Sequence, residues 1–206
     1  SAEYAVVLVH GLNGGKSDCT TSIRNSLKKR YPDAVAKILF IAPCFLSSSM
    51  QDSPLISEYA YWSGSSWSRG DDSFVVNALS SYDVMDALLC ALSDESKFPR
   101  LKHVFVGGFS AGGQYVIRYV CVGNFAKRDN IQYDFAAGAP SSWLYLDNER
   151  IKVNGELSPF LDEYPGYDNW RYGLQNRNRY AGAVQFETIV HNVTTRRTLC
   201  LCGTSD

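Results

Sequence analysis

The stretch Val104–Gly113 reads V-F-V-G-G-F-S-A-G-G, and it limits the rest of the chain more than any other segment. Leu101, Val104, Phe105 and Val106 form an apolar, β-branched run of the kind that makes a buried strand. A glycine pair follows, then Gly108-Phe109-Ser110-Ala111-Gly112, then Gln114-Tyr115-Val116-Ile117-Arg118-Tyr119-Val120, which suits a helix. The expected order is strand, sharp turn with a serine at its apex, helix. A strand that reverses into a helix this abruptly forces the apex residue into a strained backbone, and only residues without a Cβ fit two positions to either side. The serine would then stand clear of the sheet, close to the N–H groups that open the helix.

The chain has 206 residues, enough for one α/β domain with a well-formed core, and we read residues 1–206 as that single unit. Twenty basic and 21 acidic residues leave a net charge of −1, which offers no electrostatic footprint for nucleic acid. No apolar run approaches the roughly 20 residues of a membrane span. The six cysteines, Cys19, Cys44, Cys90, Cys121, Cys200 and Cys202, show no C-x-x-C metal spacing. Cys19 and Cys44 fall in loops after consecutive strands, where a disulfide is geometrically open. Cys90 and Cys121 sit in helical patterns and read as small core residues. Asn192-Val193-Thr194 is a glycosylation acceptor. Together these favour a secreted or extracytoplasmic protein over the cytoplasmic alternative.

In chain order, Tyr4–Val9 is a continuous apolar run expected as a strand buried on both faces. It ends in His10-Gly11-Leu12-Asn13-Gly14-Gly15, a loop whose N–H groups can turn toward a ligand; His10 reads as structural, bonding the loop it begins. Residues 19–31 place Ile23, Leu27 and Tyr31 on one helix face before Pro32, and residues 36–41 predict a second buried strand. Residues 45–72 are irregular and rich in serine, glycine and aromatics, among them Tyr59, Tyr61, Trp62 and Trp67; a functional loop and a surface meander explain them equally well. Asp72 or Ser73 can cap a long helix carrying Val75, Val76, Leu79, Tyr82, Met85, Leu89 and Leu92. Residues 133–139 predict a strand, and 184–190 are a short apolar piece. Residues 148–181, with two prolines and many aromatics, read as a lid or cap inserted in the domain. Residues 198–202 predict a last strand, ending in Gly203-Thr204-Ser205-Asp206. Alternating strands and helices argue an α/β domain whose ligands bind beyond the carboxyl ends of a mostly parallel sheet. The loops at 10–15, 108–112 and 203–206 all lie there.

With these motifs in place, the chain resembles the serine hydrolases of the α/β-hydrolase family, of the esterase and lipase kind. The resemblance rests on the glycine-rich loop His10–Gly15, the G-x-S-x-G elbow Gly108–Gly112 and a strand-end acid, Asp206. It implies a mostly parallel sheet flanked by helices, with a lid-like insertion, and lacking the family's closing strand and terminal helix. It implies Ser110 as nucleophile and Asp206 as the acid, with Asp147 the alternative acid. His10, Gly11, Gly108 and Gly112 shape the motifs, and the backbone N–H groups of Leu12 and Ala111 form an oxyanion hole. No metal or organic cofactor is implied, because nucleophile, donors and acid are all protein groups.

The family order serine, acid, histidine then meets a gap. The three histidines are His10 in the first loop, His103 at the start of the elbow strand and His191 before the last strand, and none is well placed as the base. The last strand is also apolar on both faces yet would form an exposed edge, which soluble proteins avoid. The expectation is that a C-terminal segment or second chain carries the closing strand, the helix and the histidine. The leading function is cleavage of a small-molecule carboxylic ester, with an apolar or aromatic group suiting the aromatic stretches at 59–67 and 160–180. Other chemistry of the same scaffold (thioesterase, peptidase, acyltransferase or lyase) and a catalytically silent binding protein are the alternatives.

Overall fold

A computed structural model describes residues 2–12, 18–50, 58–75, 79–159 and 164–203. Its elements in chain order are β1 (Tyr4–Val9), α1 (Asp18–Arg30), α2 (Pro32–Val35), β2 (Ile38–Ile41), β3 (Leu46–Ser47), β4 (Tyr61–Trp62), α3 (Ser81–Ser93), β5 (His103–Phe109), α4 (Ala111–Val122), β6 (Gln132–Gly138), β7 (Glu149–Ile151), β8 (Leu157–Pro159), α5 (Arg179–Gly182), α6 (Phe186–Thr195) and β9 (Arg197–Leu201). The central sheet has five strands in the order β2-β1-β5-β6-β9, every pair parallel. This is the expected α/β architecture of a parallel sheet flanked by helices.

The elbow strand β5 is the middle strand. Val106 sits between Val7 of β1 and Phe135 of β6, and all three are buried. Helix α4 is buried along almost its whole length, against β5 and β6 on one side and α6 on the other. Beneath it, Tyr82, Met85, Leu89 and Leu92 of α3 meet Tyr115 and Tyr119 of α4 in the hydrophobic core. β2 is an edge strand and only half-buried, because no further strand covers its outer side among the described residues. β9 forms the opposite edge, with Leu199 and Leu201 exposed.

Several expectations change. Helix α3 starts at Ser81 rather than at Asp72 or Ser73. Asp72 instead forms an antiparallel bridge with Ser80 and pairs its carboxylate with Arg179. The true start is a capping box: Ser80 Oγ accepts the Tyr82 N–H at 3.0 Å, and Asp83 accepts the Ser80 N–H at 2.8 Å. The apolar piece at 184–190 belongs to helix α6, whose inward face is Ile189 and Asn192, three residues apart. Asn192 is buried and donates to the Cys121 carbonyl at 3.0 Å, so the Asn192-Val193-Thr194 acceptor has no amide to offer a glycan in this fold. Cys44 is a free thiol, so no bridge joins it to Cys19. Cys121 is a core residue as expected, but Cys90 faces solvent, because it lies opposite the Leu89 and Leu92 stripe of α3. No helix among the described residues is long and apolar enough to cross a membrane.

Candidate active site

Ser110 joins β5 to α4 with φ 56° and ψ −119°, a left-handed backbone that a residue with a Cβ rarely adopts. The strain is imposed from both sides. The Ser110 N–H donates to the Gly138 carbonyl on β6 at 2.9 Å, and the Ser110 carbonyl accepts the Gln114 N–H at 2.9 Å as the first turn of α4. The flanking glycines are required by contact. A Cβ on Gly108 would strike the Gly112 backbone, and one on Gly112 would strike the Val9 carbonyl of β1. The helix therefore sits directly on the sheet and the serine projects at its N-terminal end. The Ser110 side chain takes no cap bond to its own helix, and its hydroxyl has no hydrogen-bond partner among the described residues.

A cavity of about 230 Å³ opens beside the elbow. Leu12 and Ala111, the two residues expected to supply oxyanion donors, both line it, with Ser65, Ser68, Gln114, Ser141, Ser142, Arg171 and Tyr172 completing the wall. The structure thus brings together the end of β1, the start of α4 and three loops distant in sequence. The wall is polar. Trp62 and Trp67 do not contribute to it, because both are buried in the core, where Trp67 stacks on Phe45.

Arg118 lies behind this wall and is fully buried. Its Nε donates to the Arg171 carbonyl at 2.9 Å, its Nη1 to the Gln114 carbonyl at 3.0 Å and its Nη2 to Ser142 Oγ at 2.7 Å. Ser142 Oγ in turn donates to Gln114 Oε1 at 3.0 Å, and Gln114 Nε2 donates to Ser141 Oγ at 2.5 Å. Burial holds the guanidinium below its ordinary value, and nearby Arg171 pushes it the same way. The hydrogen-bond network that fixes the wall was not found in the sequence; its only local signals were the polar Gln114 and Arg118, one turn apart on an otherwise apolar helix.

A second cleft of about 720 Å³ lies against residues 145–172, lined by Tyr145, Arg150, Tyr164, Pro165, Gly166, Tyr167 and Tyr172. Tyr172 lines both spaces. Arg150 is buried and fully engaged, paired with Asp168 at 3.1 Å and stacked 3.9 Å over the Tyr145 ring. The segment around the cleft includes the antiparallel β7–β8 pair. Trp170 Nε1 and Asn178 Nδ2 tie it to the body through the Arg69 carbonyl, at 2.9 and 3.0 Å.

The histidines stand apart from the serine. His10 is buried: its Nδ1–H donates to the Gly11 carbonyl at 2.7 Å, and its Nε2 accepts the Phe45 N–H at 3.0 Å. The ring packs on Trp67 with centroids 4.5 Å apart, and burial pushes its titration down, keeping it neutral. His103 begins β5, at the opposite end of the strand from Ser110, and stacks on Tyr4. His191 is exposed on α6, with no side-chain bond toward the elbow. Asp147 is exposed and accepts the Glu149 N–H at 3.0 Å, shaping the turn into β7. Asp206, like Asn13, Gly14 and Gly15, lies outside the described residues. The end of β9 does approach the elbow: the Ala139 N–H donates to the Leu201 carbonyl, one residue after the Gly138 carbonyl that holds Ser110.

Neither a protein-family model nor a curated protein matches this sequence. Among solved structures, the fold is similar to that of poly(aspartic acid) hydrolase-1 from Sphingomonas sp. KT-1, with a TM-score of 0.60 and 15% identity. The match covers 100% of this chain and 62% of that one, so the chain spans less than two thirds of that hydrolase's length. It is also similar to LpqC, a poly(3-hydroxybutyrate) depolymerase from Bordetella parapertussis, with a TM-score of 0.50, 17% identity and coverage of 98% and 75% of the two chains. At such identities the likeness shows the shared α/β fold.

Proposed function

We propose that the chain is a serine hydrolase that cleaves carboxylic esters through an acyl-enzyme on Ser110. One observation carries this reading: a serine held in a left-handed backbone, its hydroxyl unengaged, beside a cavity that both Leu12 and Ala111 line. Strain of about 1–3 kcal/mol persists at an apex where the surroundings impose it, and such sites concentrate where chemistry is done. Two neighbours of the same fold are named as hydrolase and depolymerase, which agrees with the reading.

In the proposed reaction, Ser110 Oγ attacks the ester carbonyl carbon while a base takes its proton. The oxyanion of the tetrahedral intermediate accepts the N–H groups of Ala111 and Leu12, each worth about 3 kcal/mol in the transition state. Collapse expels the alcohol, which takes the proton, and water then releases the acid by the same steps. Asp206, following β9, is the proposed acid that orients the base. We assign the base to a segment or second polypeptide outside these 206 residues, since His10 is bonded in the core, His103 begins the far end of β5 and His191 is exposed on α6. The exposed Leu199 and Leu201 of edge strand β9 offer a docking line for a further strand of that segment.

A fluorophosphonate probe tests this. The expected result is a single adduct on the native protein that disappears in Ser110→Ala. Absence of labelling in a preparation with native circular dichroism overturns the hydrolase and leaves a binding protein. Intact mass under native and denaturing conditions tests the origin of the base. A single species of the calculated mass that still hydrolyses esters overturns its placement outside the chain.

A further inference from the structure

The buried charge behind the elbow has no counter-charge among the described residues. Arg118 is 0% exposed, and the acceptors of its hydrogen bonds are carbonyls, an amide oxygen and a hydroxyl; among the described residues it meets no carboxylate. The contrast within the same molecule is Arg150, equally engaged with carbonyls but paired with Asp168. An uncompensated buried cation costs several kcal/mol unless an anion approaches it. Here the charge is directed toward a space. Ser142 Oγ accepts the Arg118 Nη2–H bond and donates to Gln114 Oε1, and Ser142, Gln114 and Ser141 all line the cavity beside Ala111.

A second guanidinium stands at that cavity. Among the described residues that line it, Arg171 is the one charged side chain and none is acidic. Its Nη2 donates to the Tyr172 hydroxyl at 2.7 Å, and among the described residues it has no ion-pair partner. The remaining wall offers the hydroxyls of Ser65, Ser68 and Ser141. One guanidinium on the wall, a second buried behind Ser142 and several hydroxyls, beside an acyl-accepting serine, match one ligand chemistry, a carboxylate. The volume, about 230 Å³, is that of roughly eight waters at ~30 Å³ each, which suits a short acyl chain.

We propose that this cavity is a carboxylate subsite, so that the ester cleaved at Ser110 is a half-ester of a short dicarboxylic acid, its free carboxylate on Arg171 with the Arg118 charge behind Ser142. The proposal rests on the hydrolase reading above and deepens it. Arg171 is a specificity residue and Arg118 a positioning residue.

The test separates the two readings by measuring binding without turnover. Monoethyl succinate and its uncharged counterpart diethyl succinate are titrated by ligand-detected NMR into the full chain carrying Ser110→Ala. The monoester is expected to bind at least about tenfold more tightly, the scale of one charge-assisted contact. Adding Arg171→Met removes that preference, whereas Arg171→Lys retains part of it. Equal affinities, no measurable binding of the monoester, or a preference that survives Arg171→Met overturns the subsite. Fluorophosphonate labelling of the native protein, together with the segment or second polypeptide that carries the base, reports separately on Ser110. Labelling without a carboxylate preference overturns only the subsite, and a carboxylate preference without labelling overturns only the hydrolase.

Discussion

Two hollows meet at Tyr172, and they are built on different principles. The larger is walled by tyrosines, and its arginine is neutralised by Asp168 and buried under aromatic rings. The smaller is walled by serines and a glutamine, and the arginine behind it is left without a counter-charge. In the first, the charge is balanced by a carboxylate; in the second, it meets only neutral acceptors among the described residues. The density of aromatic residues in a sequence therefore says little about where chemistry occurs. Aromatics bury large areas wherever they fall, as Trp62 and Trp67 do in the core.

The comparison can be broken most decisively at Ser110. Ser110→Gly is expected to lower ester hydrolysis by about ten-thousand-fold or more, the loss seen when a nucleophile is removed. The same change should raise stability by roughly 1 kcal/mol, since glycine accepts the left-handed backbone that serine resists. Steady-state kinetics and urea midpoints read the two effects, and a stability loss would contradict the strain. Next in size is Arg150→Met in the aromatic cleft. Removing the buried partner of Asp168 should cost about 3 kcal/mol in urea unfolding. Its rate of probe labelling at Ser110, measured where the protein is still folded, should stay within a factor of about two; a larger drop would mean that the two hollows work as one site.

A smaller effect concerns the loop on the smaller hollow's edge. Burial pushes the His10 imidazole below its ordinary value of 6.5. The unfolded chain therefore binds a proton that the folded chain refuses, so stability is complete above about pH 6.5 and falls as pH drops through that value. Between pH 6.5 and 5.5 stability should fall as pH drops, by no more than about 1.4 kcal/mol per pH unit, and His10→Gln should flatten the slope. A slope unchanged in that variant would assign it to other groups. The smallest effect belongs to the shared wall: Tyr172→Phe removes the hydroxyl that Arg171 holds, at a cost of about 1 kcal/mol in affinity for a bound carboxylate or less. Its effect on the cleft side should be negligible.

Much of the fold was legible because its signals are local. The continuous apolar run at 4–9 and the apolar Val104, Phe105 and Val106 mark buried strands, and Pro32 marks the end of a helix. The start of α3 was legible too, in Ser80 and Asp83, but the apolar residues Val75 and Leu79 ahead of it extend the stripe beyond the capping box. Helix α6 was obscured because its core face carries Asn192, a polar residue whose amide is satisfied only by a carbonyl on α4. The glycosylation motif and the cysteine spacing misled for a related reason. Both are short patterns whose meaning depends on exposure and on distance in space, and the fold buries Asn192 and leaves Cys44 as a free thiol.

By itself the sequence determined the elbow. Glycines at 108 and 112 around Ser110, after an apolar strand and before a helix, leave few ways for the backbone to run, because the constraint is steric and acts over five residues. Only the tertiary structure decided what surrounds that serine. Residues 12, 65–68, 114, 141–142 and 171 come from segments far apart in the chain, and their charges and hydroxyls acquire a common purpose only where packing closes them around one space. Whether the buried Arg118 charge is neutralised depends on which carboxylates the fold brings near it. That is a property of the whole sheet and its loops, and no spacing along the chain encodes it.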